Sequence, residues 1–325
     1  MRALHTPLAR RQRGIALLTA IILVAIATVV ATAIAWQSQL SARRGIAVFT
    51  VAQSLALAEG AEAMAGYLLN QSRAQNPTVV SPSQQWALPR GPLEIAPGAV
   101  LEAVMDDQAG KFNLNNVVTR AVANGPLVED KNGRKEFEFL LQTLNIDPKY
   151  AALLVDWLDT DNQPVFPGGA EDAFYMALDP PYRPPNMLIT NVSELLAMGM
   201  DRASYDKLKG LITALPSGTK LNVCTAPGLV LDALAGSISF SSLTAQQLAA
   251  QRAQNTCFPD PNAFANTLPA DQKSVVQGLL ATTSNYFRLR TWITIGTTRF
   301  TLYSLMEVSP SGGQIRPIFR TFGTE

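Results

Sequence analysis

Between Asp156 and Asp179 the chain sets Asp156, Asp159, Asp161, Glu171, Asp172 and Asp179 with no lysine or arginine among them. The core of this run reads Asp156-Trp157-Leu158-Asp159-Thr160-Asp161-Asn162, then Pro164, Gly168, Gly169, Ala170, Glu171, Asp172 and Tyr175. A glycine- and proline-bent loop of this kind gathers carboxylates that repel one another unless a cation joins them. Calcium suits such a set best, because it takes about six to eight oxygen ligands in flexible geometry. Asp159 and Asp161 have the spacing that opens an EF-hand, but Pro164 stands where that loop requires glycine, so this is a different loop. A solvated acidic loop is the plain alternative, and magnesium or hydrolytic chemistry on the same carboxylates is another.

Little else in the chain could do chemistry. The single histidine, His5, lies in the N-terminal segment, which leaves no histidine for Ser-His or Cys-His catalysis or for histidine-ligated zinc. There is no glycine-rich phosphate loop. The two cysteines, Cys224 and Cys257, form a disulfide if their domain lies in an oxidising compartment, and otherwise are buried thiols. Neither has a histidine to activate it. Net charge is close to zero over 325 residues, and no basic stripe is present to neutralise phosphates, so nucleic acid is excluded as a partner.

The elements that must position these groups begin with a helix. Arg10-Arg11-Gln12-Arg13-Gly14 runs into an uncharged, mostly apolar stretch from Ile15 to Ala35. As a helix that stretch spans about 30 Å, the thickness of a bilayer core. Arg2, Arg10, Arg11 and Arg13 precede it and only Arg43 and Arg44 follow closely, which places the N-terminus in the cytoplasm. No proline interrupts the chain between Pro7 and Pro77. Val48, Val51, Ala52, Leu55, Ala58, Ala61, Ala65, Leu68 and Leu69 make one apolar stripe at helical spacing, so the helix is expected to continue to about Asn70 and to pack on a domain.

Asn76 to Pro97 reads as an irregular connection, and Ala99 to Asp106 as a first strand. The other strand signals are at the C-terminus. Phe287, Leu289, Ile293 and Ile295 alternate with Arg288, Arg290, Trp292 and Thr294. Gly296-Thr297-Thr298 turns the chain into a run carrying Phe300, Leu302 and Met306. Ser309-Pro310-Ser311-Gly312-Gly313 is a second turn before Gln314 to Phe322, where Pro317 confines the last strand to an edge. The residues between read as helical: Asp147-Pro148 opens a helix through Tyr150, Leu153, Leu154 and Trp157, and Asn191–Glu194 and Thr244–Gln247 have capping-box spacing. A short echo, Lys111-Phe112-Asn113-Leu114-Asn115 and Lys220-Leu221-Asn222-Val223-Cys224, repeats the order basic, apolar, Asn, apolar. Its asparagines are expected to bond nearby backbone in turns.

The basic leader ending in Gly14, with the apolar helix retained behind it, resembles the type IV prepilin leader, cut by prepilin peptidase before Ile15 and methylated there. Pilins and major pseudopilins carry a glutamate as the fifth residue after the cut; this chain has Thr19. Lack of that glutamate, the large helical insertion and the run Asp156 to Asp161 followed by Gly169-Ala170-Glu171-Asp172 resemble the large minor pseudopilin K of type II secretion systems, over nearly the whole chain. That resemblance implies an α+β fold in which a pilin-like long N-terminal helix packs on a small antiparallel sheet, with a large α-helical domain inserted between strands. The expected segments are a leader at 1–14, a membrane and filament helix at 15–36, the pseudopilin α/β domain at 37–125 and 284–325, and the inserted helical domain at 126–283.

The resemblance also implies calcium bound by Asp159, Asp161, Glu171 and Asp172, with backbone or asparagine oxygens completing the shell and Asp156 as a cap or supporting group. The family often has an asparagine where this chain has Cys224, so the Cys224–Cys257 bridge need not be general. The implied function is that of a non-enzymatic tip subunit of the periplasmic pseudopilus, anchored once in the inner membrane. It would initiate or cap assembly with minor pseudopilins I and J and meet exported proteins and the secretin. A large minor pilin of a type IV pilus, or a membrane-anchored periplasmic metal-dependent hydrolase, are the rival readings.

Overall fold

The computed structural model describes residues 12–255, 257–266, 268, 270–309 and 314–323. The leader before Gln12 and residues 310–313 of the second C-terminal turn lie outside them. One helix, α1 (Gln12–Gln75), runs through two compact units that divide between Leu57 and Ala58. Within the first unit, from Ile15 to Ala35, α1 is largely apolar on every side, with Ile15, Leu18, Ile22, Val29 and Ile34 all exposed. This stretch is long and apolar enough to cross a membrane. Its hydroxyls are satisfied internally: Thr28 and Thr32 donate to carbonyls one turn back at 2.8–3.0 Å, which is how polar side chains sit in lipid.

In the second unit α1 buries Ala58, Ala61, Ala65 and Leu69. The apolar stripe is thus a packing face over its C-terminal half, whereas Val48, Val51 and Ala52 at its start are exposed. Within the stripe Glu62 is also buried. Its carboxylate accepts from Ser304 Oγ and from Arg320 Nε (2.9 Å) and Nη2 (2.6 Å), tying the helix to two strands.

After α1 come β1 (Arg90–Ala96) and β2 (Ala99–Asp107). The connection expected from Asn76 to Pro97 is irregular up to Pro89 apart from one short turn, and β1 takes up its last part. Its side chains are largely exposed and Gly91-Pro92 sits at a register shift, so it lacks both the alternation and the composition of a strand. The chain then leaves the sheet for two helical modules. The first contains β3 (Phe112–Asn113), β4 (Val118–Arg120), β5 (Leu127–Glu129), α2 (Lys131–Thr143), α3 (Lys149–Leu158), α4 (Asp172–Tyr175), α5 (Glu194–Ala197), α6 (Arg202–Leu208) and β6 (Ile212–Thr213). The second contains β7 (Leu221–Asn222), α7 (Gly228–Ala235), α8 (Ala245–Asn255), α9 (Pro261–Asn266), α10 (Ala270–Leu279) and β8 (Leu280–Ala281).

Each module opens on one copy of the echoed motif and closes by pairing that copy in parallel with its own last strand: β3 with β6, and β7 with β8. The predicted capping box at Thr244 is reciprocal, Thr244 N donating to Gln247 Oε1 (2.8 Å) and Gln247 N to Thr244 Oγ1 (3.2 Å). The chain returns through β9 (Tyr286–Ile295), β10 (Thr298–Val308) and β11 (Ile315–Phe322). The sheet order is β1-β2-β9-β10-β11, antiparallel throughout, with β11 at the edge as Pro317 requires. Phe287, Leu289 and Ile293 point inward from β9, and Trp86 packs edge-on against Phe287 at 5.1 Å. The architecture is therefore the expected α+β arrangement: a long helix on a small antiparallel sheet, with helices inserted between strands.

Candidate metal centre

The acidic loop is built on α3, whose residues Tyr150 to Leu158 are all buried. Asp156 on that helix is fully buried and works on the loop rather than in the cluster. Its Oδ1 accepts from Val165 N at 2.9 Å, and the Ala170 amide is a second donor. A Cβ on Gly169 would lie 2.1 Å from Asp156 Oδ2, so the chain can wrap this carboxylate only with glycine there. Burial pushes the Asp156 carboxyl up to about 6, against the pull of those two amides.

Wrapping the loop around Asp156 brings Asp159, Asp161 and Glu171 together. One oxygen from each lies within 4.8 Å of the others. Asp159 caps the C-terminus of α3 through its amide, 2.8 Å from Val155 O, while its carboxylate is buried and its Oδ1 has no partner. Glu171, at the start of α4, is buried with neither carboxylate oxygen hydrogen-bonded. Asp161 is exposed and accepts from Gln163 N at 2.8 Å. Burial, then the neighbouring Asp161 and Asp156, push Asp159 up to about 7. Glu171 is pushed up to about 7 by burial and by Asp156 and Asp159.

Asp172 is not in this group; its Oδ2 lies 3.6 Å from Arg183 Nε near the surface. Asn186 contributes something the sequence reading did not name. Its Nδ2 donates to the Asp161 carbonyl at 3.3 Å and its buried Oδ1 has no donor. Orphaned buried oxygens are rare in folded proteins, and four such atoms on Asp159, Glu171 and Asn186 are what a hard divalent cation would satisfy. The residues present fit calcium.

The second module has no comparable acidic group among the described residues. It is held by the Cys224–Cys257 disulfide. Beside it lies Arg252, buried without a carboxylate. It donates to the carbonyls of Val223 (3.0 Å), Ala226 and Phe258 (3.0 Å), which closes the same turn that the disulfide anchors. Burial alone lowers Arg252 to about 10. Nothing in the sequence around Arg252 marks it, because its partners are backbone carbonyls.

At the other end of the chain, the helix runs through Gly14 and Ile15, and Thr19 Oγ1 donates to Ala16 O at 3.0 Å.

Residues 110–217 match the family model described as type II secretion system, protein K. The chain is 34% identical to type II secretion system protein K of Klebsiella pneumoniae over 221 residues, 66% of this chain and 67% of that protein. It is 29% identical to the protein of the same name from Pseudomonas aeruginosa over 323 residues, 97% of this chain and 94% of that one. The fold resembles a chain in the crystal structure of the GspK-GspI-GspJ complex from enterotoxigenic Escherichia coli. The TM-score is 0.71 at 24% identity, over 87% of this chain and 100% of that chain.

Proposed function

The chain belongs to the type II secretion system protein K family, and on the premise that it is a minor pseudopilin we propose that it sits at the tip of the periplasmic pseudopilus. There it initiates or caps assembly together with the I and J minor pseudopilins. The observation that carries the tip position is Thr19. A carboxylate at that depth in lipid requires a partner from a neighbouring subunit, whereas the Thr19 hydroxyl is satisfied by its own helix at Ala16 O. A subunit that asks nothing of a neighbour at this point suits a place with no subunit beyond it. Prepilin peptidase acts between Gly14 and Ile15, the helix stays in the inner membrane, and the second unit is periplasmic. The role is associative and steric, with no reaction catalysed; exported proteins and the secretin are the surfaces such a tip would meet.

Calcium in this reading is structural. Asp159, Asp161 and Glu171 would hold it, with Asn186 Oδ1 and backbone carbonyls completing the shell, and Asp172 outside. When bound, the ion neutralises the carboxylates that the loop buries. Asp156 shapes the loop from beneath.

The test is co-expression of the full chain with I and J pseudopilins and prepilin peptidase, followed by extraction in mild detergent. The expected product is a complex of all three in which this chain begins at Ile15. A chain that still begins at Met1, or that elutes alone, would count against the tip reading and favour a tethered periplasmic protein.

A further inference from the structure

Tyr175, the last residue of α4, is fully buried, and its hydroxyl has no hydrogen-bond partner among the described residues. A buried hydroxyl without an acceptor is rare and costs stability. Its ring is fixed by its neighbours. Trp157 meets it edge-on at 5.3 Å, Phe174 edge-on at 5.2 Å, and Tyr182 lies tilted against it at 5.4 Å. These contacts hold the phenol away from solvent, so its partner has to come from within the module.

Two carboxylates lie close enough for their charge to act on it. Burial first, then the charges of Tyr182, Asp156 and Glu171, push the Tyr175 hydroxyl well above the usual phenol range. Asp156 is already engaged by the Val165 and Ala170 amides. Glu171 is not: both of its oxygens are buried and neither accepts a hydrogen bond. Glu171 precedes Tyr175 by four residues across the one turn of α4, the spacing that sets two side chains on the same face of a helix. A buried donor without an acceptor thus stands one turn from a buried acceptor without a donor.

A cation held by Asp159, Asp161 and Glu171 would fix Glu171 as a carboxylate, and a carboxylate has lone pairs left for a donor after both oxygens face a metal. Groups that hold a metal ligand in orientation through such a bond have a large effect on affinity. Tyr182 is not equivalent, because its hydroxyl already donates to the Ala197 carbonyl.

We propose that Tyr175 is a positioning residue of the metal centre, its hydroxyl donating to a Glu171 carboxylate oxygen when calcium is bound. This inference rests on the calcium reading given above.

The test uses full-length protein in non-ionic detergent, titrated with calcium chloride and followed by calorimetry and by near-ultraviolet difference absorption. In the wild type, calcium should shift tyrosine absorption to longer wavelength, as happens when a phenol donates to a carboxylate. Tyr175→Phe should abolish the shift and weaken calcium binding about tenfold. Its Tm in excess chelator should stay unchanged or rise, since an unpartnered hydroxyl has been removed. Tyr182→Phe is the structural comparison, with a lower Tm in chelator, the shift retained and calcium binding not weakened. Wild-type calcium affinity in Tyr175→Phe, or a wild-type spectrum that bound calcium leaves unchanged, overturns the proposal and leaves the calcium reading standing. No heat of binding in the wild type overturns the calcium reading and this proposal with it. Should Tyr175→Phe fail to fold, the spectra of the other two proteins decide. A shift present in both supports the proposal, and its absence from either sinks it.

Discussion

In the first helical module the opening motif ends in Asn115; in the second it ends in Cys224. Asn115 is buried and reaches two distant loops at once, donating to Ile189 O (2.9 Å) and Leu215 O (2.8 Å) and accepting from Ile189 N (3.0 Å). Cys224 reaches Cys257 through a covalent bond. The preceding asparagines behave alike: Asn113 Oδ1 accepts from Asn115 N and Asn222 Oδ1 from Cys224 N. One turn is thus built twice, with different ties at its last residue. Modules this small bury too little surface to dispense with such ties. The difference teaches that the tie is exchangeable while the turn is not. The two modules should therefore answer to different reagents, the second to reductant and the first, in our reading, to chelator.

The largest effect expected is on the second module. Replacing Cys224 and Cys257 together by alanine removes a cross-link spanning 33 residues, worth about 3–4 kcal/mol by the chain-entropy estimate. Urea unfolding measures the loss, and hydrogen exchange should place it in α7 to α10. Equal loss of protection in α2 and α3 would break the comparison. Next is Asn115→Leu, which strands one amide and two carbonyls in the first module and should cost about 2–3 kcal/mol. That cost should be the same with the disulfide oxidised or reduced.

Asp159→Asn should lower calcium affinity at least tenfold by calorimetry, about 1.4 kcal/mol. It should also raise the metal-free Tm at pH 8, since it removes a buried charge. Loss of calcium affinity with a lowered metal-free Tm would mean that Asp159 is needed for the fold itself.

The last expected effect is in pH dependence. In the metal-free fold, burial holds Asp159 and Glu171 protonated up to about 7, whereas in the unfolded chain both ionise near about pH 4. Between those values the unfolded state binds fewer protons, so metal-free stability falls as pH rises and levels off above the folded values. Saturating calcium, which binds the ionised groups, should flatten or reverse that slope.

Long-period signals in the chain were legible. The alternation of β9 and β10, the edge position forced by Pro317, the long apolar helix and the crowding of carboxylates in one loop follow from local pattern or charge, while the choice of Asp159, Asp161 and Glu171 among them came from the family resemblance. β1 was not legible, because an exposed edge strand with Gly91-Pro92 has no buried face to impose alternation. The echoed motif could be seen, but not that each copy pairs in parallel with a two-residue strand far along the chain. Asn186, Arg252 and Glu62 were missed for a related reason. Each acts through a partner brought near only by the fold, and two of those partnerships are with backbone carbonyls that every residue possesses.

The insertion leaves and rejoins the sheet at one rung. Asp107 stands opposite Phe287 across β2 and β9, and Gln108 N donates to Tyr286 O at 2.9 Å. The β2–β9 ladder is therefore complete without the modules, which join it only beyond its last pair. A module could be lengthened or shortened at that rung and the ladder would keep its register.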